Sequence, residues 1–345
     1  MRFSSLLLAA VTGLAFGLAG CGGVSSVGAP MSSTATPPVL QSGLPSETLL
    51  QKMQAAPTAV AYSGVRRIEQ SWQVGETVYS ISYREDVASD GQGRVGLQSL
   101  ELIAPSLPPR SEELWRMLQE SRDGFLFRYR DFRIHDVAQM VRNYSPIATG
   151  VRTRVAGREC EELVFALRHG ASFTYNLAVD HETGLVMRCE QVATGGRVMG
   201  LVEFESLELR PRFAADFPWD ETSNQEESLP ASQAERLAAV GFRPRQPEGD
   251  GGRFQLLEST IVRSPEPDGV GELTWVKSTL TDGIEVVFVL HGGSDPSLLS
   301  DDVMRVAPSV GPWNHVEGTL LGERFMALGR ASADELLDLI ASTLD

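Results

Sequence analysis

The chain has 345 residues, enough for two ordinary cores at about 150 residues each. Asp and Glu number 45 against 30 Lys and Arg, giving a net charge of −15. That balance argues against nucleic acid as a partner and against unassisted adhesion to anionic headgroups.

Residues 1–20 read as a targeting segment. Arg2 supplies a short positive start, and Leu6–Leu18 form an apolar run. The run is shorter than the ~20 residues of a membrane-spanning helix. It ends Leu18-Ala19-Gly20-Cys21, which resembles the lipobox of bacterial lipoproteins. The resemblance implies a diacylglycerol thioether on the Cys21 thiol, cleavage before Cys21 and acylation of the new amine. More than one acyl chain makes such attachment stable. Gly22 rather than Asp follows, which implies the periplasmic face of the outer membrane in a cell with two membranes. Residues 21–42 are a Gly/Ser/Thr/Pro-rich tether, too poor in apolar side chains to fold.

A first domain is expected over 43–215. A helix over Pro45–Ala55 opens it, with Ser46 as cap, Glu47 in the first turn and Leu49, Leu50 and Met53 as its apolar stripe. Pro57 is expected to stop it. Strands are expected at Val60–Trp72, Glu76–Asp86 and Val95–Ile103, then a short helix at Ser111–Glu120. Further strands are expected at Gly124–Phe132 and near Val137–Tyr144. Residues 151–192 carry three antiparallel strands, Glu159–Arg168, Phe173–Val179 and Leu185–Val192, with period-two alternation. Gly170 and the run Asp180–Gly184 supply their turns. Val198–Leu209 closes the domain.

After Cys21 only Cys160 and Cys189 remain. The turns pair Phe165 with Tyr175, and Tyr175 with Cys189. Cys189 then shares a face with Phe165, and Cys160 lies on the other face, two strands and roughly 10 Å away. A disulfide needs Cα atoms within about 7 Å, so the thiols are read as unpaired.

Residues 216–230 contain Pro218 and a polar run and are read as a linker. A smaller α+β domain is expected over 231–345. Ser232-Gln233-Ala234-Glu235 and Ser332-Ala333-Asp334-Glu335 are capping-box patterns. The first opens a helix ending at Gly241. The second opens the closing helix, whose face is Leu336, Leu337, Ile340, Ala341 and Leu344. Strands are expected between them at Phe254–Arg263, Glu272–Leu280, Ile284–His291, Trp313–Leu321 and Arg324–Gly329.

Motifs for chemistry are few. Gly91-Gln92-Gly93-Arg94-Val95-Gly96 fits a dinucleotide fingerprint in spelling, but a polar loop precedes it and a strand follows, so its glycines read as turn residues. His291-Gly292-Gly293 follows an apolar strand, as in the oxyanion loop of esterases. A hydrolase also needs the nucleophile elbow G-x-S-x-G, which this sequence lacks. No histidines or thiols have metal-ligand spacing. No residue is assigned to catalysis, a cofactor or a metal, and the chain is read as a binding protein rather than an enzyme.

Arg154-Val155-Ala156-Gly157-Arg158, then Tyr175, then Asp180, Thr183, Gly184 and Leu185 together resemble the N-terminal domain of the RseB/MucB family. The first helix and Tyr62-Ser63-Gly64 extend the likeness back to about residue 49. Thr281-Asp282-Gly283, Gly322-Glu323 and the final helix are similar to the family's small C-terminal domain. The resemblance implies an α+β fold: a LolA/LolB-like curved antiparallel half-barrel with plugging helices, followed by a smaller α+β domain. It implies a non-catalytic periplasmic regulator of envelope stress. Such a regulator binds lipid or acylated protein, and the periplasmic domain of an anti-sigma factor. The anchor and the acidity depart from the family. Tyr62, Tyr83, Phe127, Phe165, Tyr175, Leu177 and Met187 either line a cavity for acyl chains or pack as core against a covering helix. Acyl chains would gain ~0.8 kcal/mol per buried CH₂ there. An anchored half-barrel is also similar to the acceptor LolB, so a lipoprotein or glycolipid carrier is the second reading.

Overall fold

The computed structural model describes residues 43–74, 77–103, 131–168, 173–219, 226–247, 252–265, 272–294, 303–310 and 313–344. Cys21 and its signal segment, the tether, the helix expected at 111–120, Phe127 and nearly all of the strand expected at 124–132 lie outside these residues.

Two antiparallel sheets carry the fold. The first comprises β1 (Ala61–Val74), β2 (Thr77–Asp90), β3 (Val95–Leu102), β4 (Tyr144–Val155), β5 (Arg158–Leu167), β6 (Phe173–Asp180), β7 (Val186–Ala193) and β8 (Val198–Leu209). Its order is β3-β2-β1-β8-β7-β6-β5-β4, so the meander from β4 to β8 returns to pair with β1. β3 and β4 are left as edges of a curved, unclosed sheet. Register shifts at Val65/Arg66, Asp86/Val87, Ala148/Arg152, Ala178/Val179 and Gln191/Val192 supply the bends. Each gives one strand extra length, which kinks it and sharpens the local twist.

Helix α1 (Glu47–Ala59) plugs this sheet. The Ser46 hydroxyl accepts the Leu49 N–H at 3.1 Å, and Leu49, Leu50, Met53 and Ala56 are buried. Pro57 does not stop the helix, which runs two residues further. The one hydrogen bond the proline forfeits falls in the final turn, where little helix remains to lose.

Residues expected as a strand near Val137–Tyr144 instead form helix α2 (Val137–Asn143). Asp136 caps it, its carboxylate accepting the Gln139 N–H at 2.7 Å. Val137, Met140 and Val141 are spaced three and four apart, a helical period that the short apolar run disguised. The chain passes directly from α2 into β4.

The second sheet comprises β9 (Glu227–Ser228), β10 (Gln255–Pro265), β11 (Glu272–Thr281), β12 (Val286–Ser294), β13 (Val303–Val310), β14 (Trp313–Leu320) and β15 (Glu323–Gly329). Its order is β13-β14-β15-β12-β11-β10-β9. The continuous run Val286–Leu290 is buried on both faces, as a central strand requires. Helix α3 (Gln233–Val240) ends at Gly241 as expected. Helix α4 (Ala333–Ala341) has the full capping box and packs Leu336 and Ile340 against Leu280, Val287, Val289 and Phe325. Ala341, counted on that face from its spacing, is exposed. β13 was not anticipated. Pro308 interrupts it at an irregularity between Ala307 and Val310, which an edge strand tolerates.

Both cysteines are free. The expected pairing of Phe165 with Tyr175 is present, but Cys189 sits opposite Leu177, and Tyr175 opposite Gln191. The shift of two residues keeps Cys189 on the same face. Cys160 lies opposite Asp180 with β6 between the two thiols.

Candidate functional site

The motif residues of the first sheet build one turn. Asp180, buried at the end of β6, accepts through Oδ2 from Arg158 Nη2 at 3.0 Å and from the Thr183 N–H at 3.0 Å. The Thr183 hydroxyl donates to the same oxygen. Gly184 follows with φ +79°. A Cβ there would lie 2.6 Å from the Lys52 carbonyl carbon of α1. Lys52 Nζ also donates to the His181 carbonyl at 3.3 Å. The turn is therefore the seat on which the plugging helix rests, and only glycine lets the two backbones approach so closely.

The predicted lining residues lie around that helix. Phe165, Tyr175 and Leu177 share one core cluster with Leu49, Leu50 and Met53 of α1. Phe132 stands edge-on to Phe165 and Tyr175, with ring centroids 5.3 and 5.2 Å apart. Tyr62 and Met187 belong to a second cluster with Ala56 of α1 and Phe204. Tyr83 is fully buried. All six described residues are buried, and five of them share a core cluster with side chains of α1.

A second group of residues, which the sequence did not single out as a site, joins the two sheets. The turn between β11 and β12 projects into the first core, where Ile284 packs with Met140 and Tyr144. Gly283, at φ +103°, lies against α2; a Cβ there would overlap the backbone of Met140. Its carbonyl accepts the His135 N–H at 2.8 Å. The Asp282 side chain is buried. Its Oδ1 accepts the Ile284 and Glu285 N–H groups at 3.0 and 2.8 Å. Its Oδ2 accepts the Tyr144 hydroxyl at 2.8 Å and Arg253 Nε at 2.9 Å. Arg253 Nη1 reaches Glu335 of α4 at 2.7 Å. Gln139 and Asn143 of α2 donate to the Arg253 carbonyl at 2.8 and 3.0 Å, and Asn143 also donates to the Asp282 carbonyl at 2.9 Å.

The electrostatics hold this joint in one protonation state. Burial, and then the Asp282 carboxylate, push the Tyr144 hydroxyl well above the usual phenol value, so it stays a donor. Burial opposes the charge of Arg253, but Asp282, Tyr144 and Glu335 outweigh it and raise the guanidinium above its usual value. Removing one partner from such a buried network costs about 3–5 kcal/mol, because the other charge is left uncompensated. Asp282-Gly283 was visible as part of a family-like motif. Tyr144, Asn143 and Gln139 were hidden by the misreading of α2 as a strand.

His291 of the His-Gly-Gly run points to no oxyanion loop. Its Nδ1 accepts the Arg245 N–H at 2.9 Å, and its ring stacks on Phe325 at 4.7 Å. Gly293 abuts the Phe242 ring. The glycines at 91 and 93 form the β2–β3 turn, where the Asp90 carboxylate accepts from the Gln92 and Arg94 N–H groups at 2.7 and 3.0 Å. Among the described residues no three His, Cys, Asp or Glu side chains are grouped to hold a metal. Nor is any described helix long and apolar enough to cross a membrane.

Residues 119–232 match the family model of the MucB/RseB N-terminal domain. The signature from Arg154 to Leu185 lies inside that match, and the resemblance stands. No curated protein matches the chain. Among solved structures, the MucA/MucB complex of Pseudomonas aeruginosa is similar at 16% identity, with 85% of this chain and 95% of that one covered and a TM-score of 0.47. A crystal structure of MucB in complex with MucA(peri) is similar at 15% identity, with 85% and 96% covered and a TM-score of 0.47. A crystal structure of MucB is similar at 16% identity, with 86% and 96% covered and a TM-score of 0.43.

Proposed function

We propose that this MucB/RseB-like chain is a non-catalytic envelope lipoprotein, anchored through Cys21 at the periplasmic face of the outer membrane. In this reading it binds lipid or acylated protein with its first sheet and the periplasmic region of an anti-sigma factor. It thereby reports envelope stress to a sigma factor. The observation that carries the reading is the family match over 119–232. The joint adds a physical reason for two sheets to act together. A displacement of α1 or α2 by a ligand is felt at Asp282 and Arg253, because α2 donates directly to their carbonyls.

The packing sets a condition on the lipid limb. Tyr62, Phe165, Tyr175, Leu177 and Met187 cluster with side chains of α1, so in this reading an acyl chain enters as that helix lifts from the Asp180–Gly184 turn. Lifting exposes Leu49, Leu50 and Met53, which lose about 1.5–3 kcal/mol each unless the ligand replaces their contacts. A carrier such as LolB has no need of a second sheet knitted to the first through a buried ion pair, and the regulatory reading is preferred for that reason.

Affinity capture from detergent-solubilised envelopes, using the full anchored chain, tests the partner. Recovery of a membrane protein that also binds a sigma factor is expected; its absence under crosslinking removes the regulatory reading. Native mass spectrometry of the same preparation tests the lipid limb through a co-purified acyl mass beyond that of the anchor.

A further inference from the structure

Two of the five histidines are buried in the second sheet, and each faces a glutamate that an arginine already holds. His291 on β12 is 1% exposed. Its Nε2 lies 3.3 Å from Glu323 Oε2, and Arg245 Nε donates to that same oxygen at 2.6 Å. Phe325 and Phe242 close over the ring. His315 on β14 is 0% exposed, and neither ring nitrogen has a hydrogen-bond partner among the described residues. Its Nε2 lies 3.6 Å from Glu317 Oε2, while Arg305 of β13 donates through Nε to Glu317 Oε1 at 3.0 Å. His291 pairs in register with Phe325 and His315 with Leu328 on the shared neighbour β15. Those two positions are three apart, so the histidines lie on opposite faces of the sheet. Glu323 and Arg245 are the charged groups that face the first ring, and Glu317 and Arg305 those that face the second.

We propose that the second sheet is an acid-responsive element: proton uptake by His291 and His315 releases the 242–247 segment on one face and the β13 edge on the other. The steps follow from the donors present. Neutral His291 accepts the Arg245 N–H through the Nδ1 lone pair. A proton taken from solvent occupies that lone pair, and the Arg245 N–H loses its acceptor. The new imidazolium competes with the Arg245 guanidinium for Glu323. At His315 a proton creates a buried cation with one carboxylate in reach. Drawing Glu317 Oε2 toward the ring turns the carboxylate and weakens its Oε1 contact with Arg305, the cross-strand pair that ties β13 to β14. Among the described residues β13 has no strand on its outer side, so only its ladder to β14 and this cross-strand pair oppose its release.

Burial, only partly offset by Glu323 and aided by Arg245, places His291 at about 4 instead of 6.5. Burial likewise lowers His315. The closed sheet therefore excludes protons that the open sheet binds, and acid shifts the balance toward opening. The exported location assumed here is that of the proposed function, but the proton chemistry is tested on the isolated chain and does not depend on partner or anchor.

Hydrogen exchange on the full chain at pH 7 and pH 5, corrected for intrinsic rates, reads the opening. Protection in 242–247 is expected to fall about twentyfold, from the His291 shift alone, and protection in 303–310 and 313–319 to fall in the same direction through His315. Protection in β5–β7 stays constant. The double variant His291→Gln/His315→Gln removes the pH dependence, since glutamine keeps an acceptor and does not titrate. Should that variant misfold, ring titration of the unaltered chain by NMR decides. Ring values well below 6.5 support the proposal. Ordinary ring values, unchanged protection, or an identical loss in a folded double variant overturn it.

Discussion

Gly283 and Tyr144 carry the joint between the sheets at the level of single atoms. Gly283→Ala places a methyl group against the Met140 backbone at a φ that L residues rarely adopt. A loss of about 3 kcal/mol is expected, read as a lowered midpoint in urea. An unchanged midpoint means that α2 does not press on this turn. Tyr144→Phe removes the donor to Asp282 Oδ2 and leaves the carboxylate to Arg253 and the backbone. About 1–2 kcal/mol should be lost. The thiols show the opposite case, residues whose chemistry is silenced by place. Burial pushes Cys189 up to about 12 and raises Cys160. Neither should react with a thiol reagent at pH 8 in the folded chain, and both should react in denaturant. A 2 Da mass shift on reduction contradicts the assigned pairing. At this scale the sequence was a fair guide to which residues matter and a poor one to why. Arg158, Asp180, Thr183 and Gly184 were legible as a family signature. That they seat a helix more than a hundred positions away was not, because spacing along a strand says nothing of what crosses it.

At the level of elements, α1 and the β6–β7 turn act as a latch. Gly184→Ala forces Lys52 and the helix backbone away. Faster hydrogen exchange through Glu47–Ala59, with the strands unaffected, is the expected result. If the lipid limb of the proposed function is correct, the same variant binds a fluorescent fatty acid more tightly than the parent. Helix α4 offers a control on local physics. Ser332→Ala deletes the hydroxyl that accepts the Glu335 N–H, and a cost of about 1 kcal/mol is expected. The capping boxes and turn glycines made α3, α4 and most strands readable in advance, since those signals act over three or four residues. α2 was misread because its apolar residues fill too few turns to separate a period of 3.6 from a period of 2. β13 was missed because Pro308 and an irregular register break the alternation of an edge strand.

For the whole molecule the question is whether the two sheets unfold together. Asp282, Arg253 and Glu335 link the second sheet and α4 to α2 and Tyr144. Arg253→Ala should turn a single calorimetric transition into two, because each sheet keeps its own core while the link is lost. Acid is expected to weaken the same link. Burial raises the Glu335 carboxyl, but the Ser332 N–H and Arg253 outweigh it and leave it below its usual 4.5. Its contribution is therefore present above pH 4.5 and fades as pH falls below that value. This window lies lower than that of the buried histidines, so the two effects separate in a pH series of melts.

The sequence by itself determined the strand-rich pattern, the capped helices, the free thiols, the lack of an esterase elbow motif and the family to which residues 154–185 point. All of these rest on local spacing and chemistry, which a linear chain displays in full. Only the tertiary structure decided that Phe165, Tyr175 and Leu177 pack with α1, that Asp282 meets Tyr144 across the two sheets, and that His291 and His315 lie dry beside glutamates already engaged. Those outcomes depend on burial and on partners far apart in the chain, and no local pattern encodes which distant side chain will exclude water from a given place.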